Sequence, residues 1–197
     1  MVVTQGDHSA AAPAPHPAAP TATEWPRAAG AALAALRIGI GFVFLWAFLD
    51  KTFGLGYATP AAKAWIHGGS PTKGFLGAVD VGPLQTMFHA WAGTWWADWL
   101  FMLTMLGVGA AVMLGVALRP AAAAGTLVLA LMWFAEFPLA QTTAAGTPSG
   151  STNPLVDYHV IYALALIVIA AAGAGHHWGL AAWWARLPWI RTQHWAR

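Results

Sequence analysis

Four stretches of this sequence are dominated by apolar side chains: 29–50 (AGAALAALRIGIGFVFLWAFLD), 99–118 (WLFMLTMLGVGAAVMLGVAL), 120–140 (PAAAAGTLVLALMWFAEFPLA) and 155–175 (LVDYHVIYALALIVIAAAGAG). Each approaches the ~20 residues a helix needs to cross a bilayer, so the pattern predicts an all-α integral membrane four-helix bundle over 28–176. The second run places Gly107, Ala111 and Gly115 on one helical face, a small-residue ridge of the kind along which membrane helices approach. The 51–98 connection is broken by Gly and Pro at GLG, HGGSP and VGP. Within it Leu84, Phe88, Trp91 and Trp95 recur at helical spacing, which predicts a short interfacial or re-entrant helix over the bundle. Residues 1–27, rich in Ala and Pro and poor in large apolar groups, read as a disordered tail. Residues 177–197 mix Trp with Arg, as an interfacial segment does.

Composition agrees with a membrane class and removes others. Charged residues are only 8% of the chain and the formal charge is +2, too little for a nucleic-acid partner. Without cysteine there is no disulfide, iron–sulfur centre or dithiol relay, so redox chemistry would need a bound or diffusible carrier. Arg119 between the second and third runs, and Arg186, Arg191 and Arg197 after the fourth, predict that both termini lie on the inner side of the membrane; 51–98 then lies outside.

Polar groups inside the apolar runs are the candidates for chemistry. Arg37 and Lys51 share one helix, about 21 Å apart at 1.5 Å per residue, against a hydrocarbon core of about 30 Å. They cannot sit at opposite interfaces without snorkelling, so a buried partner for one of them is expected. By the same ruler Asp50 with Lys51, Asp98, Glu136, and Asp157 with His159 all reach the outer layer of the bundle. Asn153 and Pro154 read as N-cap and first helical residue, with Asp157 favouring the helix dipole in the first turn. His159 near that N-terminus is expected to be a neutral, hydrogen-bonding or proton-transferring ring, with Tyr162 one turn on. Glu136, between aromatics and before Pro138, is expected to be desolvated and suited to carrying a proton.

The run LRIGIGFVFLWAFLDKTFG, with its Arg and Lys, together with NPLVDYHVIYALALIVIAAAGAGHHWGL and the loop segment SPTKGFLG, resembles the DoxX/DoxD family of membrane proteins over roughly residues 30 to 182. The resemblance implies a four-helix bundle in the cytoplasmic membrane. For one branch it implies a subunit of thiosulfate:quinone oxidoreductase, working with a second redox subunit. Two readings follow. In the first, the chain is a quinone-linked subunit in which Glu136, His159 and Asp157 handle protons, Trp46, Trp133 and Tyr162 wall the quinone ring, and Arg37, Asp50, Lys51 and Asp98 form a charge or substrate network. In the second, it is a non-enzymatic scaffold or small transporter whose buried charges are structural. The cofactor expected is a membrane quinone, with no metal or haem; the partners expected are the lipid bilayer and a redox subunit or a second copy of the chain.

Overall fold

The computed structural model describes residues 26–193 and 195, so the expected tail over 1–27 falls almost entirely outside the described residues. These residues are helical, with no β-strand among them. α1 (Arg27–Phe53) is followed by 3-10 turns at Ala61–Lys63 and Trp65–His67 and by two short helices, α2 (Lys73–Gly77) and α3 (Gln85–Trp91). Three longer helices come next, α4 (Trp95–Leu114), α5 (Leu118–Glu136) and α6 (Tyr158–Ala171), and then α7 (Ala181–Trp184) and α8 (Pro188–Arg191). Among the described residues α1, α4 and α5 are long and apolar enough to cross a membrane; α6 is a shorter apolar helix. Large apolar side chains also face outward, among them Phe42, Leu103, Leu164 and Ile167, as suits a lipid-facing surface.

Helix ends differ from the hydropathy pattern where local backbone chemistry intervenes. α4 stops at Leu114 because Gly115 turns left-handed (φ 73°), returning its amide to carbonyls in the helix's last turn. α5 stops at Glu136, where Phe137 takes φ 40° ahead of Pro138. α6 starts later than expected. Its N-cap is Asp157, whose side chain accepts from the Val160 amide, while Asn153 instead holds the Leu155 and Val156 amides at 2.9 Å in a turn outside the helix.

α1 packs on α4 and α6, and α5 packs on α4 and α6, around a core that includes Ile40, Phe44, Met105, Val108, Leu129 and Leu166. The predicted ridge is not the contact. A Cβ on Gly107 would meet nothing, Ala111 packs against the core, and Gly115, just beyond the helix, lies close to Gly175 and Arg37 and not at the α1–α4 crossing. The close crossing is Gly41 against Gly109: a Cβ on Gly41 would sit 2.6 Å from Met113 Cγ, and one on Gly109 2.6 Å from the Leu45 amide nitrogen. The 51–98 segment forms a folded cover, with α2 packed on α3 and a second small core of Val79, Phe88 and Ala135 joining it to the end of α5. It is tied to the α5–α6 connection by the Ala144 amide, which donates to Asp80 at 3.1 Å.

Arg37 is fully buried, and its partners are carbonyls rather than acids. The guanidinium donates to Val112 O (2.7 Å) and Met113 O at the end of α4, to Trp178 O (2.9 Å) and to His177 O (3.4 Å). Carbonyls in the last turn of a helix have no partner within it and carry the negative end of the dipole, so a forked cation there locks α1, α4 and the 177–178 segment together. Substituting Arg37 with Leu should strand the Met113 and Trp178 carbonyls at roughly 1–3 kcal/mol each, while Val112 O keeps the Gly115 amide. The melting temperature in detergent should fall further for Arg37→Leu than for Arg37→Lys, which keeps a point-charge donor but not the fork; equal melting of the two variants and wild type would count against this clamp.

Candidate functional site

The start of α6 assembles the most chemically able group of side chains. Asp157 is held as N-cap by its Oδ1, which accepts from the Val160 amide at 3.1 Å; its Oδ2 lies 2.8 Å from His159 Nδ1. An ionised carboxylate only accepts, so Nδ1 carries the proton and Nε2 of the neutral ring carries the lone pair. The ring is 1% exposed, Tyr158 stacks on it at 4.0 Å between centroids, and Nε2 has no hydrogen-bond partner. His159 also lines a 190 Å³ cavity between α5 and α6, together with Thr126, Leu129, Trp133, Phe134 and Ala163. Thr126 Oγ1, in the same wall, is a second buried polar atom without a partner. Both uncommitted polar atoms are buried just behind the wall of this apolar cavity, where a ligand carrying a hydroxyl or carbonyl group would meet them once the wall side chains give way.

Glu136 closes the other side of the group. Its Oε1 accepts from Tyr158 Oη at 2.7 Å, and its Oε2 lies 4.0 Å from His159 Nδ1. The expectation that Glu136 would be desolvated is corrected: its side chain is 37% exposed, because α5 ends there and presents it to the outside of the bundle. Glu136, Asp157 and His159 bring ligand-capable atoms within 4.8 Å of one another, although the 2.8 Å contact between Asp157 and His159 is a hydrogen bond as it stands. The arrangement can pass a proton from an exposed carboxylate, through a carboxylate–imidazole pair, towards the open, apolar cavity between α5 and α6.

The remaining expected residues do not form one network. Arg37 serves the end of α4, as described above, and is bonded neither to Asp50 nor to Asp98. Asp50 holds the following loop, accepting from the Tyr57 (3.2 Å) and Ala58 (3.0 Å) amides. Asp98, in the first turn of α4, holds the SPTKG segment: one oxygen accepts from Ser70 Oγ (2.9 Å), the Thr72 amide (3.0 Å) and Thr72 Oγ1 (2.6 Å). Lys51 points into a different cavity, between α4 and α5. Of the expected ring-walling residues, Trp133 lines the His159 cavity and donates to Leu155 O at 3.1 Å. Tyr162 packs on the core and on Tyr158, whereas Trp46 stacks on Phe42 and Tyr57 away from this cavity. His89 donates to Val79 O at 2.6 Å within the outer cover.

Sequence reasoning missed Tyr158 and Thr126. Tyr158 was visible as part of DYH, but its reach to Glu136 depends on α6 starting at Asp157. Thr126 was a lone hydroxyl in an apolar run, a signal of the same kind as His159. Comparison with protein-family models, curated proteins and solved structures finds no match to this chain.

The geometry predicts a specific tautomer. Nitrogen-15 NMR of histidine-labelled protein in detergent should show His159 protonated at Nδ1 and bare at Nε2. In Asp157→Asn the helix cap should survive, since Asn caps about as well as Asp, while this tautomer preference is lost; Asp157→Ala should cost about 0.5–2 kcal/mol of stability in addition. An Nε2–H signal in the wild type would contradict the assignment.

Proposed function

We propose that the chain is a DoxX-like four-helix subunit of the plasma membrane, with both termini inside, that takes part in reducing a membrane quinone with electrons from thiosulfate or another small reductant. The observation that carries this reading is the buried His159, bonded to Asp157 on one edge and uncommitted at Nε2 on the other, in the wall of an apolar cavity. Reduction of a quinone to a quinol consumes two electrons and two protons. His159, protonated at Nε2, can hydrogen-bond a quinone oxygen and give up that proton, with the Asp157 carboxylate offsetting the imidazolium charge beforehand. Glu136 and Tyr158, on the exposed side, refill it. Trp133 and Phe134 offer faces for the ring. The electrons arise when two thiosulfate ions each give up one and join through a new S–S bond. With no cysteine in this chain, that sulfur chemistry falls to a second redox subunit.

A second reading, a scaffold or small transporter, draws on a specific observation: Arg37, Asp50 and Asp98 are each bonded to backbone groups and are accounted for structurally. His159 and Glu136 separate the two readings. In the intact complex, His159→Gln and Asp157→Asn should lower thiosulfate-dependent reduction of a short-chain quinone analogue by about 10²–10⁴-fold, with melting temperatures near wild type. Glu136→Gln should fold normally and slow turnover less. Variants that lose folding and activity together would favour the scaffold, and a complex that neither binds nor reduces the analogue would end the redox reading.

A further inference from the structure

A second cavity lies away from His159, between α4 and α5 beneath the cover formed by α2 and α3, and its volume is 340 Å³. That lies at the lower end of the ~300–1,000 Å³ typical of ligand sites. Along α4 it runs from Trp96 to Thr104 and along α5 from Ala124 to Met132, a length of about 12 Å at 1.5 Å per residue. Its walls are aliphatic and aromatic. Leu100 and Leu127, which line it, are 62% and 63% exposed on the outward faces of their helices, so the cavity borders the surface where lipid would lie.

Three polar side chains reach this cavity: Lys51, Thr72 and Thr104. Thr72 Oγ1 donates to Asp98 and accepts from the Gly93 amide, and Thr104 Oγ1 donates to Leu100 O at 2.7 Å. Lys51 makes no hydrogen bond or ion pair among the described residues. Asp50, its neighbour in sequence, spends both oxygens on loop amides. The Asp50 carboxylate is near enough to favour the ammonium charge but is not bonded to it, so the Lys51 head group, at the wall of an apolar cavity bordered by lipid, is open to a counter-charge that is itself attached to hydrocarbon.

We propose that this cavity binds a long-chain fatty acid, its carboxylate on the Lys51 ammonium and its chain passing along Phe101, Val128 and Leu131 to leave between Leu100 and Leu127. A single carboxylate matches a single cation, and a cavity of this size takes part of one chain rather than two. The proposal is independent of the quinone reading, since it uses neither His159 nor the α5–α6 cavity.

The test is photolabelling of the full-length protein in mild detergent with a palmitic acid analogue carrying a mid-chain diazirine, mapped by peptide mass spectrometry. Label is expected within 96–104 and 124–132, displaced by excess palmitate and at least tenfold less by hexadecanol. Lys51→Gln should lose most of the labelling and Lys51→Arg retain it. Ala124→Trp, which fills the cavity while leaving Lys51 intact, should abolish it; melting temperature and elution volume report that each variant is folded. Equal displacement by hexadecanol, unchanged labelling in folded Lys51→Gln and Ala124→Trp, or label mapping elsewhere would overturn the proposal. Displacement by phosphatidylglycerol or a neutral quinone at lower concentration than palmitate would also overturn it, as would protection of the cavity by dimer formation.

Discussion

A backbone carbonyl or amide that faces hydrocarbon has no water to fall back on, so every helix end and every loop within a bilayer must find its hydrogen bonds inside the protein. This constraint explains where most of the buried charges went. The carbonyls at the end of α4 have no partner in their own helix, and Arg37 supplies one from α1. The loops at the other end have free amides, and Asp50 and Asp98 accept from them. The amide in the first turn of α6 is taken by Asp157. Each charge serves a helix end or a turn, and each joins segments distant in the chain or pins a connection that would otherwise be unsatisfied. Subtracting those tasks leaves few uncommitted groups, and the Nε2 of His159 and the ammonium of Lys51 stand out because each lies in a cavity wall.

The two cavities share one partition. α5 turns Ala124, Leu127, Val128 and Leu131 towards the Lys51 cavity and Thr126, Leu129, Ala130 and Trp133 towards the His159 cavity. These sets are offset around a single helix, as the 3.6-residue period requires. An apolar ligand that moved α5 from one side would therefore alter the opposite cavity, a coupling that follows from packing alone and needs no additional polar connection.

Much of the helical plan was legible because hydrophobic run length depends on composition alone. Helix ends were less so, since they depend on single residues: Gly115 and Phe137 stop helices inside apolar runs, and Asp157 took the cap expected of Asn153. The ruler of 1.5 Å per residue left either Arg37 or the Asp50–Lys51 pair in need of a buried partner, and the backbone carbonyls that Arg37 finds do not appear in a pattern of side chains. Likewise the grouping of Glu136, Asp157 and His159 could be inferred from depth, whereas the separation of Lys51 from them could not, because depth says nothing about which interface of the bundle a side chain enters. The helix crossing at Gly41 and Gly109 was hidden for the same reason: small residues abound in these runs, and only the packing selects among them.

The shortness of α6 has a consequence for the surrounding lipid. Its 14 residues span about 21 Å, against a hydrocarbon layer of about 30 Å. A bilayer meeting such a helix thins, or draws its head groups inward, so that apolar thickness and helix length match. The thinning would be greatest beside α6, with Asp157 at its end. Where α6 faces lipid, water and head groups would then come nearer to the imidazole near its start than a full-length helix would allow.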